Sequence, residues 1–373
     1  MACEGGRGRA LSGPEVSMPK HRLPVFDGDG HVYEDPDELV QYFEGEYAGL
    51  RRFRTFELFP SLDGWSRGIN LAKAKDAESY RHAGTNAAVW GEMLGEIGAE
   101  GSVLYPTAGL ACGLMQNAEV ATALATAYNN WLEGRYTRRD ARLWGAGMVA
   151  VQDPAAAARE IRRFRERRNF CAVYLPTVTS LGRGYGDEFF WPIFEEAQRQ
   201  GLALALHGGP SRGFGLDHLR PFLKVHTLEH PVPLMIQLTD MIFSGVFDAF
   251  PDLRVAFLEG GCAWVPFMLD RLDYEYHSLF GAAARKTLRR KPSDYLRDGE
   301  NFWVSLELGE RSLKYAIDCI GADRILYASD FPHEPSAEEL LAGVPDFLAN
   351  PDYDDGVKER ILYRNAKRLY RIG

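Results

Sequence analysis

The chain has 373 residues, of which 46% are hydrophobic and 25% are charged, and its formal net charge is −9. This composition is typical of an ordinary globular protein, and the acidic excess, with a sequence pI near 5.6, excludes a surface built to displace counterions from nucleic acid. The cysteines are far apart and form no C-x-x-C pair, so neither a disulfide scaffold nor a thiolate zinc site is indicated, and we expect a reducing, cytoplasmic environment.

The first 22 residues contain glycine, arginine and proline but no apolar core of signal-peptide length. No stretch of the chain approaches the roughly 20 apolar residues of a membrane span. We therefore predict a mobile tail over 1–22, a single domain over 23–373 and no membrane partner.

Strand-like apolar runs alternate with helix-like segments almost to the end of the chain. The predicted strands are 24–27, 102–106, 143–150, 170–176, 202–207, 253–259, 302–308 and 325–329. The predicted helices between them are 117–134, 153–169, 187–201, 231–249, 310–320 and 355–370. Most of the strands are nearly continuous apolar runs, which is typical of strands covered on both faces.

The helix termini carry local signals. Asp153 followed by Pro154 fits a helix N-cap with proline at the first helical position. Gly201 is placed to end the helix over 187–201 just before a strand. The arginine-rich segment 159–168 is interpreted as the solvated face of a helix, because glutamates interrupt it.

Alternating strands and helices predict parallel strands joined by crossovers, and about eight such units predict a (β/α)₈ TIM barrel. An open doubly wound sheet is the alternative, but no G-x-G-x-x-G or Walker A motif follows any strand. Long connections over 32–86 and 208–230 would lie at the C-terminal mouth of the barrel, where such enzymes build their substrate pockets.

Five potential metal ligands stand where predicted strands end. Asp29 and His31 follow the first strand, His207 ends the fifth, Glu259 ends the sixth, and Asp330 follows the eighth. Because the C-terminal ends of barrel strands meet at one mouth, we expect these side chains to lie close together. Imidazole and carboxylate ligands suit zinc, and a site this rich in carboxylate also suits iron or manganese.

Each residue alone has an ordinary alternative explanation. Composition predicts about one carboxylate-x-His triplet by chance, and a second one, Glu275-x-His277, falls on a predicted surface helix. The first-strand pair could belong to a polar loop, His207 could be a core histidine, Glu259 a capping or salt-bridging group, and Asp330 the cap of a turn. Their placement favours a joint site, because buried strands seldom end in a lone polar group without a partner.

At these residues the sequence resembles the amidohydrolase superfamily, in the branch that holds the aminocarboxymuconate-semialdehyde decarboxylase-like enzymes. The resemblance covers roughly residues 23–371. The segments that carry it are 203-ALALHGG-209, 242-IFSGVFDAFPDLRVAFLEGGCAWVPFMLDRLD-273, 325-ILYASDFPH-333 and 364-RNAKRLY-370. It implies a metal-dependent (β/α)₈ barrel that acts as a hydrolase or a non-oxidative decarboxylase.

The resemblance places metal ligands at Asp29, His31, His207 and Asp330. The chain departs from the common family pattern at three points. Asp29 replaces the first histidine of His-x-His, Glu259 replaces a histidine at the sixth strand, and the fourth strand, FCAVYLP, has no lysine or glutamate to bridge two metals. We therefore expect one divalent ion, with two ions bridged by Glu259 as the alternative.

We expect the metal to activate a water molecule for hydrolysis of an ester, thioester or amide of a small, apolar or aromatic acid. Asp330 would be both a ligand and a general base, and Glu259 a further ligand or a partner that orients His207. His230 would act as an acid or base in the pocket, or would only begin a helix. His333 is expected to form hydrogen bonds behind the ligands.

Two other functions stay open. Metal-dependent decarboxylation is the first alternative. Hydrolysis is favoured over it because decarboxylating relatives generally rely on a histidine at the sixth strand, and Glu259 leaves only His230 as a proton donor. A barrel that binds a small molecule without chemistry is the second alternative, and homo-oligomerisation is not decided.

An aromatic loop over 42–65 is the predicted wall of the substrate pocket. Its arginines, Arg51, Arg52 and Arg54, would give the pocket a cationic end. The loop could instead pack its own aromatic residues or contact another subunit. Those aromatic residues are Tyr42, Phe43, Tyr47, Phe53, Phe56, Phe59 and Trp65.

Overall fold

The computed structural model describes residues 21–52, 58–60, 62, 86–210, 212–219, 222–333 and 337–373. Residues 1–20 of the predicted tail lie outside this part of the chain, as do Phe53, Arg54, Phe56 and Trp65 of the predicted pocket loop. The division into a tail over 1–22 and one domain over 23–373 stays a prediction.

Eight parallel strands form one sheet whose spatial order follows the chain order. The strands are β1 (Asp27–Val32), β2 (Ser102–Pro106), β3 (Leu143–Met148), β4 (Phe170–Pro176), β5 (Ala203–His207), β6 (Val255–Leu258), β7 (Phe302–Leu306) and β8 (Ile325–Tyr327). All strand residues are buried apart from the half-buried Trp144. Burial of both faces is expected where side chains fill the barrel and helices cover it.

The barrel closes where β1 meets the segment after β8. Asp330 N donates to Asp29 O at 3.0 Å, and His31 N donates to Phe331 O at 2.7 Å. These hydrogen bonds join three of the predicted ligand positions through their backbones at the C-terminal mouth. The prediction of a (β/α)₈ barrel is confirmed.

The first strand differs from its predicted bounds. The prediction was 24–27, whereas β1 covers Asp27–Val32, so Asp29 and His31 lie inside the strand rather than after it. The apolar pattern does not predict this strand, because several of its residues are polar. These polar side chains can be buried because they contact polar groups of other segments in the folded barrel. The pairing of β1 with β2 also shifts register between Asp27 and Gly30.

Helices follow the strands around the barrel, and short helices lie in several connections. They are α1 (Pro36–Leu39), α2 (Ala87–Ile97), α3 (Ala118–Leu132), α4 (Pro154–Arg165), α5 (Trp191–Gln200), α6 (Phe222–Glu229), α7 (Pro231–Phe243), α8 (Val246–Ala249), α9 (Trp264–His277), α10 (Ala284–Thr287), α11 (Pro292–Arg297), α12 (Leu313–Ile320), α13 (Ala337–Ala349), α14 (Asp355–Glu359) and α15 (Asn365–Tyr370). Among the described residues, none of these helices combines the length and apolar character needed to cross a bilayer.

The predicted capping signals are used. Asp153 accepts a hydrogen bond from Ala156 N at 2.9 Å, and Pro154 is the first residue of α4. Gly201 ends α5 in a left-handed conformation. The predicted helix 231–249 is instead two helices, α7 and α8, because Gly245 between them has φ of 77°, which an α-helix does not accommodate.

Candidate metal centre

Four of the five predicted ligands meet at the C-terminal mouth of the barrel. Asp29 and His31 project from β1, His207 is the last residue of β5, and Asp330 follows β8. Asp29 Oδ1 lies 3.2 Å from His207 Nε2 and 3.7 Å from His31 Nε2. Asp330 Oδ1 lies 3.4 Å from His31 Nε2. Atoms that bind one metal ion are separated by distances of this order.

Backbone carbonyls fix the two imidazole rings. His31 Nδ1 donates to Pro106 O at 2.8 Å, and His207 Nδ1 donates to Gly208 O at 2.8 Å. Both rings therefore turn Nε2 toward the cluster, as metal-binding histidines do when a second group holds the other nitrogen. A neutral His207 would then direct the lone pair of Nε2 at the carboxylate of Asp29, which is unfavourable without a cation between them.

Burial perturbs the charge of the cluster. Asp29, His31 and His207 are almost completely buried. Burial raises the pKa of Asp29, and it lowers the pKa of His31 well below the ordinary value, with a further lowering by His333. Burial also acts to lower the pKa of His207, but the Asp29 carboxylate helps to outweigh it, so the net shift is upward.

These residues fit a divalent cation. The Nε2 atom of the buried His31 forms no hydrogen bond with any described residue. A cation placed between this nitrogen, His207 Nε2 and the Asp29 carboxylate would accept both imidazole lone pairs and offset the buried negative charge. Asp330 lies beside this group, in a second group with His31 and His333.

A series of hydrogen bonds supports Asp330. Its Oδ1 accepts from His333 Nδ1 at 2.9 Å, and Thr107 Oγ1 donates to His333 Nε2 at 2.7 Å. Glu34 holds Thr107 in turn, because its Oε2 accepts from the backbone N of Thr107 at 3.2 Å and of Ala108 at 3.0 Å. The hydrogen bonds of His333 agree with the prediction. Glu34 was missed, because nothing in its sequence context separates it from a surface glutamate.

Glu259, the fifth predicted ligand, lies against the opposite edge of His207. Its Oε2 is 3.2 Å from His207 Nδ1 and 3.4 Å from His230 Nδ1, whereas His207 Nε2 faces Asp29. Glu259 thus contacts the ring of a candidate ligand on the side away from Asp29. This contact fits the alternative in which Glu259 orients His207.

Asp27 is a buried residue of this region that was not predicted as part of the site. Its Oδ2 accepts from Ser102 Oγ at 2.6 Å and from Ser329 Oγ at 2.8 Å, and its Oδ1 accepts from Ser329 N at 2.9 Å. These bonds tie β1 to β2 and to the segment that carries Asp330. Burial raises the pKa of Asp27 to about 6. The alternation Asp27, Asp29, His31 was the available signal, since it places all three side chains on one face of a strand.

The cluster opens into a cavity of about 670 Å³, a size that suits a small organic acid. The titratable residues of the site that line it are Asp29, Asp330, Glu259, His226 and His230. The described residues of the wall include no lysine or arginine. Other carboxylate and apolar residues of the wall are Glu307, Glu339, Asp346, Leu308, Leu340 and Phe347.

The described part of the aromatic loop does not border this cavity. Phe43 is buried, and residues 58–60 and 62 line a separate cavity of about 350 Å³. Arg54 lies outside the described residues. The cationic end of the pocket therefore stays a prediction.

Comparison with known proteins identifies the family. A family model described as Amidohydrolase matches residues 107–372. The 2-amino-3-carboxymuconate-6-semialdehyde decarboxylase of Dictyostelium discoideum is 25% identical over 251 residues. That alignment covers 66% of this chain and 66% of the relative, so it spans just under two thirds of the relative's length.

Solved structures share the architecture. The 5-carboxyvanillate decarboxylase of Sphingomonas paucimobilis superposes with a TM-score of 0.74 at 26% identity, covering 94% of this chain and 100% of that one. The 5-carboxyvanillate decarboxylase of Novosphingobium aromaticivorans, solved with bound manganese and 3-methoxy-4-hydroxy-5-nitrobenzoic acid, also has a TM-score of 0.74, at 21% identity. The superposition covers 94% of this chain and 98% of the second enzyme.

These relatives correct one prediction and support another. All three are decarboxylases, so the prediction of a hydrolase is wrong, and its alternative has the support. The missing histidine at β6 does not deprive the site of an imidazole, because His230, just before α7, reaches Glu259 and lines the cavity. A divalent metal is supported by the side-chain clusters of the described residues.

The family model covers well over half of the chain, and the barrel fold was shown above. The chain belongs to the amidohydrolase superfamily, in the branch of the aminocarboxymuconate-semialdehyde decarboxylase-like enzymes.

Proposed function

We propose that this protein is a metal-dependent, non-oxidative decarboxylase that removes CO₂ from a small aromatic or unsaturated carboxylic acid. The observation that carries the proposal is the convergence of Asp29, His31, His207 and Asp330 at a cavity of suitable size. The reaction class of the similar decarboxylases points the same way.

We assign one divalent ion to these four side chains. Two imidazole nitrogens and two carboxylates suit manganese, iron or zinc, and the manganese of a relative makes manganese our first choice. When bound, such an ion would hold the substrate carboxylate with a neighbouring hydroxyl or carbonyl oxygen and withdraw electron density from the carbon that loses CO₂. Glu259 is assigned the orienting role through His207 Nδ1.

We assign the proton transfer to Asp330. In decarboxylation the carbon–carbon bond breaks, its electron pair stays on the substrate carbon, and a proton must reach that carbon. Asp330 lines the cavity and its Oδ1 is held by His333, so Oδ2 is the oxygen to which we assign the proton.

His230 also lines the cavity, and we assign it no proton transfer. Burial, and after it the neighbouring His226, lower the pKa of His230 well below the ordinary value. At neutral pH its imidazole is therefore uncharged and better suited to orient or bind another group.

Release of CO₂ tests the proposal. The manganese-loaded protein is incubated in deuterium oxide with benzoates that carry a hydroxyl beside the carboxylate, and with unsaturated dicarboxylic acids. We expect CO₂ to be released and one deuterium to appear on the carbon that lost it. Asp330→Asn should lower kcat by about 100-fold or more, whereas Asp318→Asn, at an exposed position of α12, should leave it unchanged. Ester hydrolysis without CO₂ release, or full turnover by Asp330→Asn, would overturn the proposal.

A further inference from the structure

A second cluster of ligand-type side chains lies beside the candidate metal centre. In the segment 226-HTLEH-230, His226 and Glu229 belong to α6, and His230 follows directly. Residues three and four positions apart lie on the same side of a helix, so this spacing itself brings the three side chains together. The mechanism proposed above uses neither His226 nor Glu229.

The ligand atoms of this cluster are close to one another. His230 Nε2 lies 3.0 Å from His226 Nδ1, and His226 Nδ1 lies 3.4 Å from Glu229 Oε1. A tetrahedral zinc ion with bonds of about 2.0–2.1 Å holds its ligand atoms roughly 3.3 Å apart. The spacing therefore matches a divalent cation in the place of the hydrogen bond between the two imidazoles.

The cluster is largely shielded from solvent. The side chains of Glu229 and His230 are 6% and 12% exposed, and that of His226 is 21% exposed. Two histidines and one glutamate are also the protein ligands of several catalytic zinc sites.

Glu259 lies close to the other ring nitrogen of His230. Its Oε2 lies 3.4 Å from His230 Nδ1 and 3.2 Å from His207 Nδ1. Metal-binding histidines commonly donate their second nitrogen to a carboxylate, which fixes the tautomer and the ring orientation. Glu259 thus faces Nδ1 of one histidine from each cluster, and each of these rings turns Nε2 to its own cluster.

The cluster also has space for one ion beside the substrate cavity. His226, Glu229, His230 and Glu259 line a small cavity of about 30 Å³, which is close to the volume of one water molecule. His226 and His230 are shared with the wall of the main cavity. A cation there would add positive charge to a wall whose described residues supply several carboxylates.

We propose that His226, Glu229 and His230 bind a second divalent cation of the zinc class, separate from the centre at the strand ends. The cation lies between His226 Nδ1, His230 Nε2 and a carboxylate oxygen of Glu229, and Glu259 holds the ring of His230 from behind.

Metal stoichiometry tests this proposal. The full-length protein is freed of metal with a chelator and dialysed against Zn²⁺ or Co²⁺, and the bound metal per chain is measured by mass spectrometry. The wild type should bind two equivalents, and His226→Ala and Glu229→Gln should each bind one. Asp330→Asn should keep the equivalent that those two variants lose. Bound Co²⁺ also reports four-coordinate nitrogen and oxygen ligands through its visible absorption.

Exposed histidines provide matched controls. His218→Ala, in the same connection, and His277→Ala, at the end of α9, should both keep two equivalents. The equivalent retained by His226→Ala shows that the variant is folded. The proposal would be overturned if His226→Ala and Glu229→Gln bound as much metal as the wild type. It would also be overturned if the His218→Ala control lost as much metal as these two variants. The wild type could also bind only one equivalent. If His226→Ala then lost that equivalent and Asp330→Asn kept it, the result would support this site and overturn the strand-end assignment.

Discussion

Glu259 and Asp330 share a left-handed backbone conformation, with φ of 58° and 51°. Such conformations cost non-glycine residues roughly 1–3 kcal/mol and persist only where the surroundings hold them. Here Glu259 N donates to Ser305 Oγ at 2.9 Å, and Asp330 N donates to Asp29 O at 3.0 Å. Both bends occur just after a strand, where they direct a carboxylate toward a histidine of the site.

The buried carboxyl group of Asp27 should make stability depend on pH. Its pKa is raised from 3.8 to about 6, so its ionised form is disfavoured in the folded barrel. Its contribution is therefore fully present below pH 3.8 and is lost as the pH rises through about 6, a change of about 3 kcal/mol. Relative to Asp27→Asn, the wild type should lose about 2.4 kcal/mol of this between pH 4 and pH 7, measured by urea unfolding.

An exposed carboxylate separates this effect from the general loss of one charge. Asp252→Asn, at an exposed position, should follow the pH profile of the wild type. Parallel profiles for Asp27→Asn and the wild type would show that the Asp27 carboxyl is not perturbed.

Close packing of α2 on β1 explains why a glycine, Gly30, lies between the two proposed ligands of the first strand. A Cβ atom on Gly30 would lie 2.3 Å from Cη2 of Trp90 and 2.7 Å from Ser102 Oγ. Trp90 belongs to α2, and its Nε1 donates to His31 O at 3.0 Å. Gly30 thus allows a helix to approach the strand that carries Asp29 and His31, and this contact holds the backbone of His31.

Two glycine substitutions should have opposite effects on stability. Gly30→Ala forces the ring of Trp90 away from β1, and we expect a loss of about 1–3 kcal/mol in the free energy of unfolding. Gly95→Ala places its Cβ where no atom lies within 4 Å, at an exposed position inside α2. Because alanine favours a helix over glycine, we expect a gain of about 0.5–1 kcal/mol. Denaturant unfolding measures both, and effects of equal sign would refute the argument.

The architecture was predictable because continuous apolar strands alternate with capped helices. The proximity of four proposed ligands was predictable because strand ends converge at one mouth. The bounds of β1 were not, since its polar residues are satisfied only by partners such as Ser102 and Ser329, distant in sequence. The hydrolase prediction was wrong for a different reason. The missing histidine of β6 was given too much weight, although the sequence analysis also named His230, which reaches Glu259 from another connection.

Metal bound at the strand ends should stabilise the whole barrel, because its proposed ligands come from β1, from β5 and from the segment after β8. The Asp29 and Asp330 carboxylates repel each other without a cation, and this repulsion adds to the effect of burial in raising the pKa of Asp29. A ligand at 1,000 times its Kd stabilises a protein by about 4 kcal/mol, which for a chain of this length corresponds to a Tm change of about 5 °C.

We therefore expect a chelator to lower the Tm by about 5 °C in scanning calorimetry, and manganese to restore it. Asp29→Asn removes one of the proposed ligands and should respond less to the chelator than the wild type. His218→Ala should respond as the wild type does, because this exposed side chain belongs to neither cluster. A wild-type Tm that is the same with and without the chelator would mean that no ion joins the first and last strands.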